Sequence, residues 1–548
     1  SFDALRSTLL LAGGEAQSLN LAGAAFFKVL AENSSAPMTF YGGFTATELR
    51  CEAPAGAREL VFEPGSTVIL RDMVLQGAST NIALRSTTPG KQWRLAMSGY
   101  RSIQGVDVKD SDASPGLPVT AVLSKDSGGN VNWIFDAEWS EWLGLYGTSF
   151  HVSSNWASGV VPGSDSRVLV ATNNPMVIST PVRLLDLTIG GGADQATVTA
   201  NAELTLDESI IVLTNGTLAL NRPSVVRNDM ILFGGGMLTH SANTSEEVNK
   251  IDVVVYGNVA VDVNGTVNVS EMGHQPGYGP GYGTGGGHGG RGSDGYHGGV
   301  PSGPCYGSFV APTNIGSGGN SYAGGSAGGA IIMRVAGELR HDGTMFANGQ
   351  AGDYSRGSGG SIFLTAGSML GFGSLQANGG NLNGHGSGGG GRISLVVTNR
   401  GADLVKFTGP VSAFSGMFMP AFVDAGGGGA GTIYRQQWSD RPGRGTVLVN
   451  NNSASNTGPT DVPPNSHYAP GEVDFTSFRV SNAARLSITN DVTIGDIWLD
   501  TANALLDLQG HTLTVRSREH PLGPGSVLNF GQIIWLPDIP KGTIYFAK

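Results

Sequence analysis

Apolar residues in this chain come in runs of three to five, broken by Gly, Asn, Pro and single polar positions. Leu60-Val61-Phe62, Val68-Ile69-Leu70 and Met73-Val74-Leu75 are divided by Pro64-Gly65 and by polar residues. The same texture returns at Leu185-Asp186-Leu187-Thr188-Ile189, Leu204-Thr205-Leu206, Ile210-Ile211-Val212 and Leu218-Ala219-Leu220. It returns again at Leu486-Ser487-Ile488, Ile497-Trp498-Leu499 and Leu505-Leu506-Asp507-Leu508. Short runs rich in Val, Ile, Thr and Phe between turn residues read as strands. Only 3–11 and 21–32 accommodate a helical period. The pattern predicts an all-β chain with fewer than about a tenth of its residues in helix, against roughly 30–35% in ordinary domains. Strands this short and this dense suit a solenoid.

The firmest periodicity lies between 328 and 434. Gly329-Ala330-Ile331, Gly360-Ser361-Ile362, Gly391-Arg392-Ile393 and Gly431-Thr432-Ile433 repeat one mark, with the isoleucines spaced 31, 31 and 40 residues apart. A second mark keeps step, since Ala347-Asn348-Gly349 returns as Ala377-Asn378-Gly379 and more loosely as Phe414-Ser415-Gly416. Repeats of this length are units that cannot bury an apolar face alone and therefore stack. The expected fold is all-β, a right-handed parallel β-helix (a β-solenoid), with the four isoleucines stacked inside. Tight turns between coils favour glycines at φ > 0 and close backbone approach. Asn348 and Asn378 fit left-handed turns and a ladder of side-chain amides.

Composition sharpens this picture. Gly is 86 of 548 residues, about twice ordinary usage. Without a Gly-X-Y period this is not collagen. A net charge of -11 repels a phosphate backbone, so nucleic acid is excluded as a partner. No run approaches eighteen apolar residues, which speaks against membrane insertion by a helix, and Ser1 opens no signal-peptide pattern. Cys51 and Cys305 are too few for a disulfide framework and read as small buried hydrophobes.

Residues 273–327 break the texture with a stretch rich in Gly, Tyr and His and almost free of aliphatic runs. It reads as a loop excursion from the solenoid, ordered and packed by its tyrosines. The chain then divides into N-terminal coils 1–135, a continuing module 136–272, the excursion 273–327, the periodic coils 328–445, a linker 446–472 around Pro463-Pro464, and C-terminal coils 473–548.

Leu60-Val61-Phe62-Glu63-Pro64-Gly65-Ser66-Thr67-Val68, Asp110-Ser111-Asp112-Ala113-Ser114, Asp126-Ser127-Gly128-Gly129-Asn130 and Asn155-Trp156 with Val161-Pro162-Gly163 resemble modules of large secreted or surface-displayed bacterial proteins. The Gly-Gly-X-Ile coils with their Ala-Asn-Gly turns are similar to the glycine-rich units of such proteins. The resemblance implies a pectate-lyase-like parallel β-helix outside the cell or on its surface, among adhesins, passenger domains, polysaccharide lyases and hydrolases. It carries over no catalytic residue.

Candidate chemistry is sparse. Asp107, Asp110 and Asp112 offer oxygens to Ca²⁺ but lack the EF-hand spacing, and no other cofactor is suggested. His274, His288 and His297 match no zinc spacing. Asp342, Asp353 and Arg356 flank the first periodic coils and form the best acid and base set for cleaving a polysaccharide. Tyr278, Tyr282, Tyr296, His288 and His297 are the candidate contacts to a glycan. The expectation is a non-catalytic structural or adhesive segment whose partners are polysaccharide or neighbouring surface-protein subunits. The alternative is a carbohydrate-active enzyme on the same scaffold.

Overall fold

The computed structural model describes residues 7–33, 36–53, 56–77, 80–99, 101–122, 124–135, 139–294, 301–321, 324–352, 355–380, 386–416, 427–454 and 457–536. They form an all-β chain of parallel sheets, and the only helical turn among them is the 3-10 turn Ser153–Asn155. The chain separates into two compact units, Ser1–Trp139 and Ser140–Lys548.

In the first unit successive strands alternate between two parallel sheets. Thr8–Leu11, Ala25–Ala31, Thr45–Ala53 and Thr67–Gly77 follow one another in one sheet, and Gln17–Asn20, Met38–Tyr41, Arg58–Phe62 and Ile82–Ser86 in the other. The described parts of the two segments that accommodated a helical period carry the strands Thr8–Leu11 and Ala25–Ala31, each with a parallel neighbour. Inward residues stack on their equivalents. Phe40 lies on Phe62 at 5.2 Å and Phe62 on Trp93 at 4.2 Å, both near parallel.

The second unit opens with a cap in which Trp142 and Phe150 pack edge-on against Trp156, all fully buried. The indole N–H of Trp156 donates to the Phe150 carbonyl at 2.8 Å. Asn155-Trp156 of the sequence motif is therefore the lid on the first coil. Three columns of parallel strands follow. A representative turn of chain is Leu204–Leu206, Ile210–Val212 and Gly216–Leu220, and the next is Ser224–Val226, Met230–Leu232 and Met237–Thr239. In the long strand Ala330–His341 two columns fuse, the first half pairing with Ile251–Val255 and the second with Val259–Val261. The predicted register holds: Ile331 pairs with Ile362, Ile362 with Ile393 and Ile393 with Ile433, all buried in one aliphatic core.

The two repeated sequence marks meet in space. The amide of Gly360 donates to the Ala347 carbonyl at 2.7 Å, Gly391 to Ala377 at 2.7 Å and Gly431 to Ala413 at 2.7 Å, while Gly329 donates to Val269 at 2.8 Å. Each bond closes the neck of a glycine-rich loop. The excursion at 273–327 is thus the longest of four loops that leave the stack at equivalent points.

Past Ile433 the chain makes a hairpin. Thr432–Gln436 pairs antiparallel with Thr446–Asn450, whose own sheet then continues parallel to Ser477–Ser481 and Asp496–Leu499. The span expected as a linker therefore carries two strands, Thr446–Asn450 and Thr457–Val462, whose alternation was hidden by the polar residues around them. Ile433 faces the first core, whereas Tyr434, Val447 and Val449 face a second one with Phe478, Leu486 and Leu506.

Candidate functional site

The four loops merge into a layer built of backbone. Residues 285–290, 316–319, 356–360, 386–391 and 427–431 are buried, yet most hold no side chain beyond glycine or serine. Their amides cross-link several segments at once. Gly389 donates to Gly286 at 2.9 Å, Gly286 to Arg356 at 2.9 Å, Gly359 to Gly389 at 3.0 Å and Gly390 to Gly429 at 2.9 Å. A Cβ on Gly286, Gly289, Gly359, Gly389 or Gly390 would stand 2.1 Å from a neighbouring carbonyl oxygen. None of these five adopts a left-handed φ. They are glycine because backbones touch there, not because the chain turns, which corrects half of the expectation drawn from composition.

The excursion is accordingly held by its backbone more than by its tyrosines. Among the described tyrosines of the excursion, Tyr306 alone packs fully inside; its hydroxyl donates to the Ile315 carbonyl at 2.6 Å and accepts from Ser317 Oγ at 2.8 Å. Tyr282 is half-buried and Tyr278 is 44% exposed. Tyr296 and His297 lie outside the described residues, so only Tyr278 and Tyr282 of the proposed aromatic contacts have a described position.

His288 is not at the surface. It is fully buried, stacks on Tyr306 at 4.7 Å, and its Nδ1 meets the Gly359 carbonyl at 2.9 Å. Burial, aided by the Arg392 charge, pushes its pKa down to about 3, so the ring is neutral and Nδ1 is the donor. A glycan cannot reach it without the layer opening. His274 is also buried, and burial lowers its pKa. Among the described residues no group of three or more His, Cys, Asp or Glu side chains converges to hold a metal.

Sequence reasoning missed two other cations of this layer besides Arg356. Arg392 is buried, with Nε donating to the Tyr306 carbonyl at 2.8 Å and Nη1 to Thr432 Oγ1 at 2.9 Å. Arg291 clamps Asp461 through Nε at 2.7 and 2.9 Å, tying the excursion to the strand Thr457–Val462. Burial holds the Asp461 carboxyl above its ordinary range despite that cation. Cys305, whose Sγ accepts from the Asp461 amide at 3.4 Å, and Cys51 are buried free thiols, as expected of small hydrophobes. Burial raises the pKa of both.

Of the acid and base set, the two described members, Asp342 and Arg356, each make structural contacts. Asp342 is 8% exposed; its Oδ2 accepts from Arg340 Nε at 2.6 Å and its Oδ1 from the Phe372 amide at 3.3 Å. Arg356 lies in the glycine layer, donating to the Gly386 carbonyl at 3.3 Å. Asp353 lies outside the described residues. In the first unit Asp107 pairs with Arg85 Nη2 at 2.8 Å. Burial alone would raise its pKa, but bonds from Ser127 and Arg85 outweigh it and the net shift is downward. Asp110 Oδ2 accepts from the Gly90 amide at 2.8 Å, and Asp112 Oδ1 from the Ser114 amide at 3.0 Å. Each carboxylate of the proposed Ca²⁺ set is engaged separately, because i, i+3 and i+5 on a strand and its turn diverge.

A buried charge stack in that unit also escaped notice. Lys28, Glu48 and Asp72 are in register on neighbouring strands, with Lys28 and Arg50 on Glu48 at 2.8 and 2.9 Å and Arg71 on Asp72 at 2.7 Å. An acid interrupting two apolar strands at paired positions was the available signal. Comparison with known proteins gives no match to a protein-family model and none to a curated sequence.

Proposed function

We propose that the chain is an extracellular or cell-surface structural or adhesive segment, wound as a right-handed parallel β-helix, that contacts polysaccharide or neighbouring surface-protein subunits through its excursion. The observation that carries this reading is the mounting of Tyr278. A half-exposed aromatic ring stands on a loop whose neck is closed by Gly329 and whose backbone is built into the glycine layer. A ring on a preorganised backbone loses little freedom on binding, and aromatic faces with a polar tip suit sugars as well as protein.

The right-handed sense follows from the general preference of parallel crossovers. At the hairpin the strands reverse while the core moves to the opposite face of the same sheet. Each change alone would invert the sense of winding. Together they conserve it, so one hand serves both stacks.

The test is a glycan array probed with the wild-type chain and with Tyr278→Ala. Binding weakened about tenfold in the variant, roughly 1.4 kcal/mol, is expected. Undiminished binding by Tyr278→Ala removes the excursion from the reading. Cleavage of any polymer by the wild-type chain replaces it with an enzymatic one.

A further inference from the structure

One strand column of the second unit differs from the rest on its outer face. It runs through Met176–Ile178, Ala196–Ala200, Gly216–Leu220, Met237–Thr239, Thr266–Asn268, Thr344–Phe346, Ser374–Gln376 and Val411–Ser412. Val198, Leu218, Leu238, Val267, Met345 and Leu375 point into the core, fully buried. Side chains alternate along a strand, so the residues flanking these lie on the outer face, part-exposed except for Ala219 and for Thr217, which is covered by Gln195 Nε2 at 2.9 Å. They line up in two rows. Thr197, Thr217, Met237, Thr266, Thr344 and Ser374 pair in sequence from strand to strand. Beside them run Val177, Thr199, Ala219 and Thr239, then Asn268, Phe346, Gln376 and Ser412.

Neither row contains a charged residue. The other columns do carry outward charges in pairs, as in Arg183–Asp207–Arg227 and Arg334–Asp252. The column is also followed by an amide and hydroxyl ladder. Asn221 Nδ2 donates to Asn201 Oδ1 at 2.7 Å and to Ser241 Oγ at 2.9 Å. The surface thus repeats hydroxyl and amide groups at the strand spacing of about 4.8 Å over roughly 30 Å.

We infer that this face is a binding surface for an uncharged, linear polysaccharide, an inference that rests on the glycan-contact reading and extends its site from the excursion onto the stack. A carboxylated or sulfated polymer would lose hydration on this face without meeting a cation. A second copy of the chain fits poorly, because sheet-on-sheet packing interdigitates apolar side chains, and these rows would bury hydroxyls instead. An extended neutral glycan presents hydroxyls at a spacing comparable to that of the strands and apolar C–H patches for Phe346 and Met237. Some of the surface groups are already bridged, along a row as Thr344 Oγ1 to Thr266 Oγ1 at 3.4 Å and between the rows as Gln376 Nε2 to Ser374 Oγ at 3.2 Å, which fixes their orientation.

The experiment is retention on cellulose and on chitin, with polygalacturonate as the acidic comparison. It uses the wild-type chain, Tyr278→Ala, Thr266→Lys/Thr344→Lys and Thr344→Val, with light scattering and thermal unfolding of each. The inference expects wild type retained on a neutral polymer in preference to the acidic one, at least about tenfold weaker retention for the double lysine variant, and a separate loss of about tenfold for Tyr278→Ala. Should the double variant misfold, Thr344→Val keeps the shape and removes a hydroxyl, and a several-fold loss is expected of it. Retention lost with Tyr278→Ala but kept by folded lysine variants overturns this inference and leaves the glycan reading standing. No retention of wild type on any polymer overturns both. A wild-type dimer that the lysines dissociate makes the face a self-interface and overturns the inference.

Discussion

Ile331, Ile362, Ile393 and Ile433 stand two residues after Gly329, Gly360, Gly391 and Gly431, yet the two sets stabilise opposite sides of one stack by different means. The isoleucines sit in register and bury aliphatic surface, about 1.5–3 kcal/mol for each. The glycines begin a layer in which backbone meets backbone and hydrogen bonds, not side chains, close the structure. Parallel pairing is common to both. What differs is the response to change: an aliphatic core has atoms to lose, whereas the glycine layer has only space that cannot be filled.

That difference is broken most strongly from the aliphatic side. Ile362→Ala is expected to cost about 2–5 kcal/mol, the sum of lost transfer energy and a cavity between two strands that cannot close over it. Urea unfolding should show a lower midpoint for the whole second unit. From the other side, Gly359→Ala places a Cβ 2.1 Å from the Ala377 carbonyl. The cost is expected at the upper end of the roughly 1–3 kcal/mol typical of overpacking, and it should be local, read as faster proteolysis within 273–327. Gly65→Ala is the control. Gly65 has φ +74° and nothing within 4 Å of an added Cβ, so only the left-handed backbone, about 1–2 kcal/mol, resists it. Equal proteolysis in Gly359→Ala and wild type would show that the layer yields, and the contrast with the isoleucines would vanish.

The two halves of this comparison were unequally legible in the sequence. The register of the isoleucines was readable because the spacing of 31 residues states which strands are neighbours. The glycine layer was not, because composition does not say which carbonyl approaches which glycine, and Gly389 touches loops a hundred residues upstream. His288 was assigned to the surface because a histidine among glycines offers no hydrophobic pattern to mark it as buried. Asp342 was assigned to chemistry because Arg340, two positions earlier, lies on the same side of a strand only once that strand is known. The uncharged rows were visible in fragments such as Thr197-Val198-Thr199, but irregular loops between the strands hid their alignment.

A second effect separates the two sides by pH. Burial lowers the pKa of His240 and His341 to about 4 and of His288 to about 3, from 6.5. With folded values below the unfolded ones, their contribution is complete above pH 6.5. It is lost as pH falls toward those values, because the unfolded chain takes up protons that the folded chain refuses. Each contributes at most about 1.4 kcal/mol per pH unit in that window. His288 belongs to the layer, whereas His341 faces Phe407, which is packed in the aliphatic core. His288→Gln should flatten the pH dependence of proteolysis within 273–327, and His341→Gln that of urea unfolding. A pH dependence of proteolysis unchanged by His288→Gln would show that the layer does not sense protons through this ring.

The smallest expected effect concerns the seam where the two sides join. Asn348 and Asn378 were expected in left-handed turns with their amides stacked, but neither has a positive φ. Instead Asn348 Oδ1 accepts from the Asn378 amide at 2.8 Å, and Asn378 Oδ1 accepts from the Phe414 amide at 2.8 Å. The side chain acts as an acceptor that hands one coil to the next beside the neck of each glycine loop. Asn378→Ala leaves the Phe414 amide without that partner and is expected to cost about 1 kcal/mol, within the usual range for one hydrogen bond. Asn378→Asp keeps the acceptor oxygen and its reach while removing the amide donor. If acceptance is the role, Asp retains most of the stability that Ala loses, whether charged or protonated, since a protonated carboxyl keeps its carbonyl acceptor. An Asp variant as unstable as Ala would mean that the donor matters, and the seam would then be an amide ladder after all.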